Sequence, residues 1–291
     1  MSTETKLNSY AKGLELAESG KYQDALTHMQ QHLKNNPGDA EALNDVGAIL
    51  YCLGRNIEAI EHFTKSIKSD KDFGEAYWNL VEAYLSCRKP QKASLLFDDM
   101  ARLKILNADV VNRTANQFLE QDSLGAAIEM MILSLELSNK QDILLPMIEV
   151  VRSKRPKIAF FGTPKEDEFY KYINQRYMTE CFSEKSQEQL PDLINWCDIA
   201  WFDSDEESLS RTAVLPKTCK IAVKLNSLSG QNLNTATEKI DKLIIKSDVS
   251  GIENITLIDL EKEGKLVTIP DGYTNKKLNQ VLLCLEKEIQ S

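Results

Sequence analysis

Residues 40–71 read AEALNDVGAILYCLGRNIEAIEHFTKSIKSDK, and this stretch decides the fold. Its fixed points are Gly47, Leu50, Gly54, Ala59 and Phe63. In steps of 34 residues, Ala59 becomes Ala25, Ala93 and Ala127. Four residues after each alanine stands a bulky apolar side chain: Met29, Phe63, Phe97 or Met131. Gly47 shares its register with Gly13, Val81 and Ala115, and Leu50 with Leu16, Tyr84 and Phe118. Gly20 and Gly54 mark the turn inside a helix pair, and Pro37 closes the first repeat. A period of this length predicts helix pairs that stack, because one pair cannot bury its apolar face alone. Small residues stand where the two helices cross, and a larger side chain there would cost roughly 1–3 kcal/mol in overpacking. The bulky residue lies one turn along the same face and fills the gap between repeats.

These registers resemble the tetratricopeptide repeat (TPR) family over about residues 6–139, with four repeats in phase. The chain departs from the family where the repeat-closing proline becomes Lys71, Ile105 and Asn139, and where Val81 replaces a small residue. Residues 141–154 read as a half-repeat helix that caps the array, with Pro146 tolerable only in its first turn. The expected first domain is therefore 1–154, an all-α TPR superhelix of four repeats plus a capping helix. The resemblance implies a concave groove lined by the first helix of each pair. By register its candidates are Tyr10, Asn44, Ala48, Tyr51, Trp78, Asn79, Glu82, Asn112, Arg113 and Asn116. Asparagine amides can both donate to and accept from a peptide backbone, and the aromatic rings can anchor apolar groups. The alternative reading is that some of these side chains contact the neighbouring helix instead. The groove lacks the Lys/Arg set of TPR domains that clamp carboxylate tails, since Arg113 alone is available. His28 and His32 stand at i, i+4, a metal-compatible spacing, but without a third ligand nearby a structural role is favoured.

The bulk numbers exclude several classes. The net charge is −9. Residues 1–152 hold 16 Lys/Arg against 22 Asp/Glu, and the remainder 19 against 22, so neither half has a basic surplus. Binding to nucleic acid or to an anionic membrane is not expected. No run of about 18 apolar residues exists. The polar start Met1-Ser-Thr-Glu-Thr-Lys6 is not a signal peptide. Six scattered cysteines without a C-x-x-C pair fit free thiols in the cytoplasm. No cofactor and no metal is expected.

Arg152-Ser-Lys-Arg-Pro156 reads as a charged hinge, and the texture changes after it. Apolar runs at 157–161, 177–182, 198–202, 220–225, 242–246, 255–258 and 266–269 read as strands. Polar stretches at 165–176, 186–197, 205–215 and 274–290 read as helices. The alternation predicts that 155–291 is an α/β domain with a parallel, Rossmann-like sheet.

The order of these segments resembles the N-terminal half of a B-fold, group-one glycosyltransferase, over about residues 157–273. The pieces are Lys157-Ile-Ala-Phe-Phe161, Cys197-Asp-Ile-Ala-Trp-Phe-Asp203, Leu215-Pro-Lys217, Ile240-Asp-Lys242 and Ile269-Pro-Asp-Gly272. The resemblance implies a bacterial protein that handles a nucleotide-sugar or glycan ligand. The family's donor domain is not expected in the remaining residues. A histidine segment usual after the fourth strand is replaced by Asn226-Ser-Leu-Ser229, and no histidine follows His62. Glu253 and Glu261 copy the family's E-x7-E spacing in the wrong domain, by chance. Gly162-Thr-Pro-Lys165 follows the first strand where a phosphate loop could sit, but lacks G-x-G-x-x-G and Gly-Lys-Ser/Thr. Asp203-Ser-Asp205 looks like a metal-binding D-x-D, yet Ser204-Asp-Glu-Glu207 fits a helix cap better. Gly162, Thr163, Asp203 and Asn226 are the candidate ligand loop.

Two functions follow. The first is a protein-interaction scaffold that holds a peptide or protein client in the groove, beside a non-catalytic glycosyltransferase-like domain. The alternative is a glycosyltransferase, or the acceptor-binding subunit of a split one, modifying a protein or surface glycan.

Overall fold

The computed structural model describes residues 3–163, 165–182, 196–204, 219–225, 240–246, 260–269 and 274–290. The chain divides into two compact units, Met1–Asp142 and Ile143–Ser291.

The first unit is a run of antiparallel helix pairs. α1 (Thr3–Glu18) pairs with α2 (Tyr22–Asn35), α3 (Ala40–Cys52) with α4 (Asn56–Ser69), and α8 (Ala108–Glu120) with α9 (Leu124–Leu137). The third pair joins α5 (Gly74–Ser86) to a rod made of two pieces, α6 (Pro90–Ser94) and α7 (Phe97–Arg102). Leu96 N–H donates to Ala93 O, a tightened turn that separates the two pieces.

Each pair turns in the same way. Gly20, Gly54, Arg88 and Asp122 all have positive φ, at 76°, 74°, 55° and 54°. These four positions are again 34 residues apart. The residue after each closes a six-residue loop: Lys21 N–H to Leu16 O, Arg55 to Leu50, Lys89 to Tyr84 and Ser123 to Phe118. This is the left-handed helix end that satisfies the last carbonyls. Glycine occupies it at no steric cost in two repeats, whereas Arg88 and Asp122 hold it with a side chain present.

The crossing registers are tight. Ala25, Ala59, Ala93 and Ala127 are all fully buried. A Cβ on Gly47 would lie 2.6 Å from the Phe63 ring, and one on Gly13 would lie 3.0 Å from Met29. The small and bulky registers are therefore the two sides of one contact.

The second unit begins with α10 (Leu144–Ser153), with Pro146 in its first turn. This helix, expected as the cap of the first domain, falls within the compact unit Ile143–Ser291. One reason lies within this unit: the Arg152 guanidinium donates from both Nε and Nη2 to Tyr177 O, at 3.1 and 2.7 Å.

Six strands follow: β1 (Ile158–Phe161), β2 (Thr179–Phe182), β3 (Ile199–Ser204), β4 (Lys220–Leu225), β5 (Lys242–Lys246) and β6 (Leu266–Ile269). They form one sheet in the order β2-β1-β3-β4-β5-β6. Every pairing is parallel. α11 (Glu168–Asn174) lies between β1 and β2 in sequence, shorter than the 165–176 expected, because Asp167 caps it by accepting from Phe169 N–H and Tyr170 N–H. α12 (Asn275–Gln290) closes the described chain.

The sheet is apolar on both faces, as parallel strands require. Ile158, Phe160, Ile199, Trp201 and Ile244 pack with residues of α11 and α12 on one face. Ala159, Phe161, Ala200, Phe202, Val223 and Ile245 fill the other. The expected strand 255–258, most of helix 186–197 and helix 205–215 lie outside the described residues.

Candidate functional site

The groove candidates stand on α1, α3, α5 and α8, and the structure links them sideways. Tyr10 OH donates to Asp45 Oδ2 at 2.6 Å. Asn44, only 1% exposed, donates from Nδ2 to Glu75 Oε1 at 3.1 Å and accepts from Asn79 Nδ2 at 2.9 Å. Tyr51 OH meets Ser86 Oγ at 2.5 Å. The Arg113 guanidinium grips the Glu82 carboxylate with two bonds and also reaches Asp109, at 3.3 Å. Apart from Asp109, one turn back on α8, these partners are 31 or 35 residues apart, the two spacings that flank the repeat. They make one polar ladder across successive first helices.

Two candidates are less committed. Asn116 is exposed. Trp78 is half-buried against the cluster that contains Tyr77, Val81 and Phe97. Asn112 is committed on one side only. Its Nδ2 donates to Gln141 Oε1 at 2.6 Å, and Gln141 is held in turn by Ser134 and Ser138. The sheltered Oδ1 of Asn112 has no partner. Ala48 is half-buried within the α1–α5 core.

Sequence reasoning named Glu82 but missed the other acids of this ladder, Asp45 and Glu75. Asp45 and Glu75 are partners rather than free surface, and Asp39, Glu41 and Glu75 lie near enough to Asp45 to repel its charge. Burial, followed by these neighbours, pushes the Asp45 carboxyl above the usual carboxylate range, against the pull of the Tyr10 bond. The Tyr10 hydroxyl is raised by burial and by its bond to Asp45. The signal was available as polar pairs at 31 and 35 residues, which a search at 34 alone passes over. His32 Nε2 sits 2.8 Å from Asp39 Oδ2, and its ring packs 5.1 Å from that of Tyr10.

In the second unit, Gly162 and Thr163 follow β1 directly, and Asp203 is on β3, the neighbouring strand. All three stand at the carboxyl edge of the sheet. Asn226 lies outside the described residues. Gly162 has φ +79°. Thr163 is 4% exposed, and its Oγ1 has no partner. Its backbone oxygen accepts from Cys181 Sγ at 3.4 Å. Asp203 Oδ2 pairs with Lys224 Nζ of β4 at 2.8 Å, both side chains being 13% exposed. At the opposite, amino edge, Cys197 and Cys219 are buried, and the Cys197 thiol is raised by its hydrogen bond with Cys219 and by burial. Among the described residues no group of three or more His, Cys, Asp and Glu side chains could hold a metal.

Comparisons with known proteins cover about half of this chain. No protein-family model matches, and no curated protein matches. Among solved structures, a crystal structure of MamA protein is 20% identical with a TM-score of 0.45, covering 52% of this chain and 83% of its own. MamA residues 41-end from Desulfovibrio magneticus RS-1 are 17% identical with a TM-score of 0.43, covering 53% and 86%. The TPR2B-domain:pHsp70 complex of yeast Sti1 is 19% identical with a TM-score of 0.31, covering 48% and 100%. The helical array stands on its own geometry: four phased helix pairs, four left-handed turns at one register and one lateral ladder.

Proposed function

We propose that the first unit is a protein-interaction scaffold that holds an extended peptide along the faces of α1, α3, α5 and α8. The observation that carries this reading is Asn112. Its amide is fixed by Gln141, while its sheltered Oδ1 lacks a donor. Leaving such an acceptor unmet costs about 1–3 kcal/mol, and a peptide N–H would meet it. The flanking Trp78 supplies an apolar anchor and Asn116 an open amide. The lateral ladder holds this face in place before any client arrives, which lowers the entropy cost of binding. The client is polar and extended; an acidic tail would face Glu82, Asp109 and the Asp45 cluster.

The second unit is read as Rossmann-like, with the strand order and parallel pairing as support, and as derived from the acceptor half of a sugar transferase. Its role is to bind a small ligand or dock a partner without performing transfer.

The test uses a random-peptide display library panned on the intact chain. Trp78→Ala with Asn112→Ala removes the anchor and the acceptor, and circular dichroism checks that the array stays helical. Selected peptides should lose at least tenfold in affinity. Unchanged binding by a folded double variant excludes these residues.

A further inference from the structure

We propose that the face shared by α3 and α5 docks a basic peptide and seats one of its arginine side chains against Glu41, Glu75 and Trp78. The proposal rests on reading the first unit as a peptide scaffold and names the chemistry of its client.

The first observation is an imbalance of charge between the helices of a pair. α3 and α5 carry Glu41, Asp45, Glu75 and Glu82 and no lysine or arginine. α4, which packs against both, balances Glu58 and Glu61 with Lys65 and Lys68. Glu82 is gripped by Arg113 of α8, which shows how this face holds a guanidinium. Among the described residues Asp45 is met by Tyr10 and Glu75 by Asn44, and no lysine or arginine pairs with these two or with Glu41. Glu41 and Asp45 stand one turn apart on α3, where like charges destabilise a helix. Burial first, and then repulsion by Glu41, Glu75 and Asp39, raises the Asp45 carboxyl. A cation arriving at Glu41 and Glu75, both exposed, relieves that crowding.

The second observation is the direction of the hydrogen bonds. Asn44, Asn79 and Asn112 each aim Nδ2 at a neighbour within the array: Glu75, Asn44 and Gln141. The sheltered side-chain atoms left unmet on α8 are Asn112 Oδ1 and Gln117 Oε1, and both are acceptors. The first helices therefore spend their donors inward and keep acceptors for a ligand. A guanidinium brings five N–H donors and no acceptor.

The third observation is Trp78, half-buried on α5 one turn after Glu75, on the same side of the helix. A guanidinium can stack on an indole while its fork meets a carboxylate, which a lysine ammonium does less well. Charge, donor count and ring together select arginine.

The experiment is fluorescence polarisation on the full chain with labelled Gly/Ser peptides that carry several arginines, lysines, citrullines or glutamates. Citrulline keeps the shape of arginine and removes its charge. The arginine peptide should bind about tenfold tighter than the citrulline one, and the glutamate peptide should not bind. Glu41→Gln with Glu75→Gln keeps an acceptor for Asn44 and should weaken the arginine peptide about tenfold. It should also keep or raise Tm, because it relieves repulsion within the array. Glu58→Gln with Glu61→Gln removes the same charge from α4 and should leave affinity within about twofold of wild type. Trp78→Ala should erase the preference for arginine over lysine. The proposal is overturned if citrulline serves as well as arginine, if Glu41→Gln with Glu75→Gln binds as wild type, if the α4 variant weakens binding as much, or if none of the peptides binds. Peptides selected from the display library that need Trp78 and Asn112 but carry no cation would overturn it and leave the scaffold reading standing. Loss of binding in Glu41→Gln with Glu75→Gln but not in Asn112→Ala counts against the Asn112 acceptor alone.

Discussion

The two units satisfy their buried polar groups over different distances along the chain. In the array, the ladder bonds span 31 or 35 residues and recur from repeat to repeat. In the sheet unit, Arg155 donates from Nε and Nη2 to Glu286, at 3.1 and 2.7 Å across 131 residues. Tyr177 OH adds a third bond to the same carboxylate, and the Arg155 side chain is 1% exposed. A stack of near-neighbour contacts can lose one and fray locally. The Arg155–Glu286 pair joins the start of the sheet unit to its last helix, so its loss is felt by the whole unit.

The sharpest test of that contrast is Glu286→Ala. It leaves the buried Arg155 charge without its carboxylate, with only Arg176 O and the Tyr177 ring still meeting the guanidinium, which should cost about 3–5 kcal/mol. Urea titration should show the sheet unit unfolding early while the helical signal of the array persists. A single shared transition would break the comparison. In the array, Gly47→Val pushes a side chain into Phe63 and should cost roughly 1–3 kcal/mol. Adding Phe63→Leu should restore part of the loss, which a double-mutant cycle can read as coupling. If the two changes simply add, the crossing contact is not what limits packing there.

The Gly47–Phe63 contact was legible from residues alone, whereas the Arg155–Glu286 pair was not. The 34-residue period was visible because the small, bulky and turn positions are local to each helix pair. The strands at 220–225, 242–246 and 266–269 were visible as apolar runs because a parallel sheet buries both faces. The ladder was not legible, because Asn44 reads as a free groove amide until the neighbouring helix places Glu75 and Asn79 against it. The same holds for Thr163, whose unmet hydroxyl is a property of its surroundings.

Smaller effects refine the turns. Gly54→Arg imposes at one turn the left-handed side chain that Arg88 already carries at another. It should cost about 1 kcal/mol by thermal unfolding. Arg88→Gly should regain about half of that, since glycine also gains freedom in the unfolded chain. Equal stability in both would mean that the turn imposes no strain.

The last effect is a pH dependence. The folded Asp45 carboxyl is raised above its ordinary value, so the neutral form is the one the fold favours. Its contribution to stability is full below the unfolded value and is lost as pH rises through the folded one. Asp45→Asn keeps an acceptor for Tyr10 and removes the titration, so the array's stability should become flatter across the mildly acidic range. An unchanged profile would show that Asp45 is not the group responsible.

The sequence by itself determined the helix pairs, their period and the buried strands, because side-chain size, turn geometry and apolar runs act within a few residues of chain. The tertiary structure alone decided which polar groups found partners and that β1 lies between β2 and β3. Those outcomes depend on neighbours brought from tens of residues away: alternating apolar residues say which way a side chain faces, but not which strand or helix will stand beside it.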